Sequence, residues 1–152
     1  MKKILFVVVL ILVLFLTLSS LSTAADWVYY SSDNLDNASF YDRESISFPS
    51  KGVVRVWIKQ LYSEKGKMNE ITERTKSNLT IDGLNELSYA LCLHEIKCDA
   101  KEDAIVTCTS YSNSGNTLNS FNISKDRLKW EPIYHDSISE ALWKAVCKRE
   151  GK

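Results

Sequence analysis

The stretch DSISEALWKAVCK, Asp136 to Lys148, reads as a helix with apolar material on two sides, and the fold follows from what such a helix demands. Ser137 followed by Glu140 is a capping-box pattern: the hydroxyl accepts from a first-turn N–H while the carboxylate reaches back to the cap. Ile138, Ala141, Leu142, Ala145 and Val146 recur at the spacing of a buried helical stripe. Trp143 and Cys147 stand off that stripe, roughly 130–170° from its centre when each residue advances about 100°. A helix apolar on two sides needs a curved sheet around it, with Glu140, Lys144 and Lys148 as the expected wet sector. Lys148 and Arg149 complement the negative end of the helix dipole.

Upstream, the pattern is mostly strand. Trp27 to Tyr30 and Ser39 to Asp42 are short extended runs separated by a turn-rich Asn34 to Ala38, and Phe48 to Gly52 reads as a turn. Val53 to Leu61 alternates, with Val54, Val56 and Ile58 on one face and Arg55, Trp57 and Lys59 on the other. Alternation returns from Asn85 to Lys97, turns at Cys98 to Asp103, and runs back through Ala104 to Tyr111. Ser112 to Asn116 is a hairpin turn before Thr117 to Ser124. Strands joined by short turns and closed by a helix predict an α+β fold: one antiparallel sheet of about six strands, curved and packed on a C-terminal helix.

Between those strands, Ser63 to Gly83 is polar, charged and without alternation. Met68 to Lys76 could form a short helix, but Ile71 lacks apolar partners at helical spacing, so the segment is expected to be a long mobile excursion. Such excursions on rigid sheets often carry binding residues. Its cations Lys65, Lys67, Arg74 and Lys76, together with Trp57 on the polar face of its strand, are the candidate partner contacts.

Residues 1–25 read as a secretory leader. Lys2 and Lys3 are the charged start, Ile4 to Leu18 the apolar run, and Ser19 to Ala25 a small-residue cleavage region. The apolar run is shorter than the ~20 residues of a membrane span, so membrane contact is expected only during export. Residues 26–152 then form one domain, destined for the periplasm, the outer-membrane surface or the medium. The full chain balances 19 basic against 19 acidic residues, and losing Lys2 and Lys3 leaves it slightly acidic. That balance offers no footprint for nucleic acid.

All four cysteines, Cys92, Cys98, Cys108 and Cys147, follow the leader, and in an exported chain an even number reads as disulfides. Their spacing matches no usual zinc knuckle, so neither metal nor cofactor is expected. In a hairpin centred near residues 100–101, Cys92 and Cys108 lie nearly opposite, which leaves Cys98 for Cys147. The second bond closes a loop of about 50 residues and contributes up to ~4 kcal/mol by loop entropy.

Little in the chain points to catalysis. His94 and Glu95 are adjacent in a strand and therefore face opposite ways. In His135-Asp136-Ser137 the serine is already the helix cap, and Glu102 and Asp103 read as solvated charge in a turn. No catalytic residue is assigned, and a non-enzymatic role is expected.

Several stretches together resemble a known family. Trp27, Phe40 to Ile46 (FYDRESI), Val54 to Lys59 (VRVWIK), Glu95 to Cys98 (EIKC), Tyr111 to Gly115, and Trp130 to Ile133 (WEPI) through Asp136-Ser137 to Val146-Cys147 resemble, in order and spacing, the bacterial surface-adhesin protein E family. The resemblance implies an antiparallel sheet wrapped against a C-terminal helix. It also implies that Cys98 and Cys147 are the family-type pair, with Cys92 and Cys108 an extra bridge. His135 stands where the family's helix start carries proline. For activity the resemblance implies adhesion to a protein partner at the cell surface or in the envelope, without assigning binding residues. The alternative expectation is a periplasmic accessory protein that carries a small ligand in an aromatic groove of Trp57, Tyr89 and Trp143.

Overall fold

The computed structural model describes residues 24–148, so the expected leader lies outside the described residues apart from Ala24 and Ala25, as does Arg149. Strands β1 (Trp27–Ser32), β2 (Ala38–Asp42), β4 (Val53–Leu61), β5 (Leu87–Lys97), β6 (Glu102–Ser112) and β7 (Thr117–Asn122) lie side by side in the order β1-β2-β4-β5-β6-β7. Two short strands, β3 (Ser47–Ser50) on β4 and β8 (Glu131–Pro132) on β6, bring the sheet to eight rather than the six expected. Both are too short to show alternation, and each contains a proline, which reads as a turn signal in sequence. Every pairing is antiparallel. Bulges interrupt β1/β2, β5/β6 and β6/β7, where the bulged strand bends and its twist increases.

The larger departure is α1 (Glu64–Lys76), a full helix within the segment expected to be a long mobile excursion. Ser63 caps it, its hydroxyl accepting from the Gly66 N–H at 2.9 Å. Glu64–Lys67, Glu70–Arg74 and Glu73–Lys76 pair along its surface. A helix laced with such pairs is polar nearly all round and shows no apolar stripe, which is why periodicity does not reveal it. What docks it is Asn37. That buried side chain accepts from the Ser63 N–H at 2.9 Å and donates to Asp33 at 2.8 Å, and α1 presses Gly66 directly against it.

The closing helix α2 (Ile138–Cys147) forms where expected and buries Leu142, Trp143 and Val146 against Tyr41, Val54, Val56, Ile58 and Ile96. Each such side chain removed from water contributes about 1.5–3 kcal/mol. The expected wet sector needs one correction: Glu140 is buried. Its carboxylate accepts from the Asp136 N–H and from Lys144, both at 3.0 Å, while its own N–H donates to Ser137 Oγ at 3.1 Å. The capping box therefore closes one residue before the cap, and Lys144 pairs the Glu140 charge. Disulfides Cys92–Cys108 and Cys98–Cys147 are both formed, the first across β5/β6 and the second tying the end of α2 to the β5–β6 turn.

Candidate functional site

Strand register decides which side chains meet. In β4, Val54, Val56 and Ile58 face α2 together with their β5 partners Ile96, His94 and Cys92. Cys92 in turn faces Cys108, and Cys108 faces Phe121 of β7, so Phe121 belongs to the same side. Phe121 lines a groove with Glu70, Glu73 and Arg74 of α1. Both helices thus lie on one face of the sheet, and the other face is open over most of its width.

That open face is aromatic with one central cation. Trp57, Lys59 and Leu61 of β4 stand opposite Leu93, Leu91 and Tyr89 of β5, and Lys59 also stands opposite Phe40 of β2. The Lys59 ammonium lies 5.1 Å from the Tyr89 ring centre and 5.9 Å from that of Trp27. Tyr89 stacks on Tyr111 at 4.9 Å, and Tyr29 meets Phe40 edge-on at 5.6 Å. Such pairs contribute about 0.5–1.5 kcal/mol each and hold the rings in place before anything binds. Tyr29 is 55% exposed and Trp57 37%. At one end of the face Arg55 and Glu95 pair, and Lys97 sits 4.0 Å over the Trp130 ring while bonding Glu102 at 2.7 Å.

The other candidate contacts lie on α1, across the sheet from Trp57. Lys65 donates to the Asn34 carbonyl at 2.7 Å, while Lys67, Arg74 and Lys76 each hold a carboxylate of the same helix at 2.7–2.8 Å. The structure does not bring these cations and Trp57 into one surface. Nor does the aromatic groove form: Trp57 and Tyr89 are on the open face, whereas Trp143 is under α2, its indole N–H donating to the Cys98 carbonyl at 2.9 Å. Lys101 and Lys148 cover the Trp143 ring at 4.5 and 4.9 Å.

His94 does find a carboxylate, though not Glu95, which pairs with Arg55 on the opposite face. His94 Nδ1 lies 2.9 and 3.2 Å from the two oxygens of Asp103, the second residue of β6, which is largely buried rather than solvated. Ser139 of α2 donates to Asp103 Oδ2 at 3.3 Å. The serine therefore bonds the carboxylate and not the imidazole, so the three do not form a serine–imidazole–carboxylate chain. These residues border a cavity of about 170 Å³ between α2 and the sheet, shared with Tyr30, Gln60, Ile105 and Leu142. Burial pushes the Tyr30 phenol up to about 12, with Ser39 opposing and the Asp103 charge adding to the shift.

At the start of α2, His135, Asp136 and Glu140 bring ligand atoms within 4.8 Å of one another. Glu140 is occupied by Lys144 and the Asp136 N–H, which hold its carboxyl below the ordinary 4.5. His135 and Asp136 pair with each other at 2.9 Å in solvent. Helix capping accounts for the arrangement. Under α1, burial pushes the Tyr62 phenol up to about 12, with Glu70 adding and Arg74 opposing.

Among the described residues no helix is long and apolar enough to cross a membrane. Neither curated proteins nor solved structures give a significant match to the chain. The family model described as surface-adhesin protein E matches residues 27–148, from the first residue of β1 to one residue past α2. That span takes in every strand, both helices and both disulfides of the described residues, and the chain therefore belongs to the surface-adhesin protein E family.

Proposed function

We propose that this chain is an exported, non-enzymatic adhesion module that contacts a protein partner at the cell surface or in the envelope through the open face of its sheet. The observation that carries the reading is that face: Trp27, Tyr29, Phe40, Trp57 and Tyr89 surround Lys59 on the side away from both helices. Contiguous exposed aromatic surface on a soluble domain marks an interaction site, and aromatic residues are the usual anchors of protein interfaces. Membership in a surface-adhesin family supports a protein as the partner of such a face. Cleavage of residues 1–25 would deliver residues 26–152 to the oxidising compartment that the two disulfides require. The α1 cations Lys65, Lys67, Arg74 and Lys76 form the weaker surface, since three of the four are already neutralised within the helix.

The test is capture of partners from the native envelope and its surroundings by the oxidised protein, beside two variants. Trp57→Ala with Tyr29→Ala should lose the partner, whereas Lys65→Ala with Lys76→Ala should keep it. The reverse pattern moves the contact to α1.

A further inference from the structure

We propose that the cavity between α2 and the sheet is a binding site for a small primary amine carried on a compact hydrocarbon. The site is on the far side of the sheet from the adhesion face, and the inference stands apart from that reading. A cavity of about 150 Å³ accepts a benzene-sized molecule, and this one measures about 170 Å³. One half of its lining is apolar, with Leu142 of α2 above and Ile58 and Ile105 of the sheet below. Hydrocarbon there replaces water on surfaces that gain by losing it.

The other half selects the head group. Asp103 holds the His94 ring by Nδ1, and its carboxylate puts a negative charge at this end of the cavity. The Gln60 side chain and the Tyr30 phenol border the same space, and the phenol keeps its proton well past neutral pH. No lysine or arginine is among the lining residues, and Asp103 supplies a negative charge. An ammonium brings three donors and a positive charge to acceptors and a carboxylate. A ligand carboxylate in the same place would meet the Asp103 carboxylate without a lysine or arginine in the lining to receive it.

Matched probes separate these effects: cyclohexylamine, cyclohexanol and cyclohexanecarboxylate share one hydrocarbon and differ in the head. Each is titrated into the exported, oxidised protein while NMR follows the His94 ring, the Gln60 side chain and Tyr30. The expected result is saturable shifts at those residues with cyclohexylamine, at least tenfold weaker binding of cyclohexanol, and none of the carboxylate. Asp103→Asn should erase the preference for amine over alcohol. Should that variant fail to fold, Gln60→Leu should weaken the amine at least threefold with the alcohol little changed. Absence of saturable shifts at these residues, or equal binding of amine and alcohol, or binding of the carboxylate, overturns the proposal.

Discussion

The Trp143 indole N–H donates to the Cys98 carbonyl at 2.9 Å, and Cys98 is joined to α2 a second time by its disulfide to Cys147, one turn beyond Trp143. The indole and the disulfide thus clamp the β5–β6 turn against the helix from two points. Removing the bond by Cys98→Ser with Cys147→Ser opens a constraint spanning 49 residues, which loop entropy sets at about 4 kcal/mol. Cys92→Ser with Cys108→Ser releases only 16 residues and should cost about 3 kcal/mol on the same reasoning. Urea unfolding of the two double variants should rank them in that order, and Trp143→Phe should cost about 1–2 kcal/mol for the orphaned carbonyl.

Gly66→Ala should free or shift α1. A Cβ at that position would overlap Asn37 Oδ1, and Asn37 has no room to retreat because it is buried and bonded to Ser63 and Asp33. Overpacking of this kind costs about 1–3 kcal/mol. Adding Asn37→Ala removes the clash, so the double variant should lose less than the sum of the two singles when their urea midpoints are compared.

Alkaline titration has a defined window. The Tyr30 and Tyr62 phenols sit at about 12 when folded against an ordinary 10.0, so the folded state keeps protons that the unfolded chain releases. Stability from these groups is whole below pH 10 and declines as pH rises toward 12, by roughly 2–3 kcal/mol for each. Tyr30→Phe should flatten its share of that slope in unfolding measured from pH 9 to 12.

The acid side has the opposite sign. Glu140 is held below its ordinary 4.5 by Lys144 and the Asp136 N–H, so its contribution is present above that value and lost as pH falls through the lowered one. Glu140→Gln should be less stable than the parent at pH 7, and the difference should shrink in acid when the two melting temperatures are compared.

Much of this architecture is written in local pattern. The alternation of Val54, Val56 and Ile58 identifies a strand with one buried face, and it equally puts Trp57 and Lys59 on the open one. The hairpin places Cys92 opposite Cys108 because a short turn leaves the two arms little freedom of register. The helix α1 is hidden because its support is ionic along its surface and tertiary at Asn37, and neither leaves an apolar period. The His94–Asp103 pair is hidden by a bulge. Leu93 faces Thr107, but His94 already faces Ile105, and that one-residue slip brings Asp103 opposite Ile96, diagonal to the imidazole. The open face is readable residue by residue but not as a surface, since its rings come from β1, β2, β4, β5 and β6 and meet only once strand order is known.

The most direct measurement is a hydroxyl-radical footprint of the protein free and bound to the partner it captures. Trp57 and Tyr29 report the open face, and Met68, 58% exposed on α1, reports the opposite side with a side chain that oxidises readily. Adhesion through the open face predicts that Trp57 and Tyr29 become protected while Met68 oxidises as before. Protection of Met68 with Trp57 and Tyr29 unchanged would contradict it.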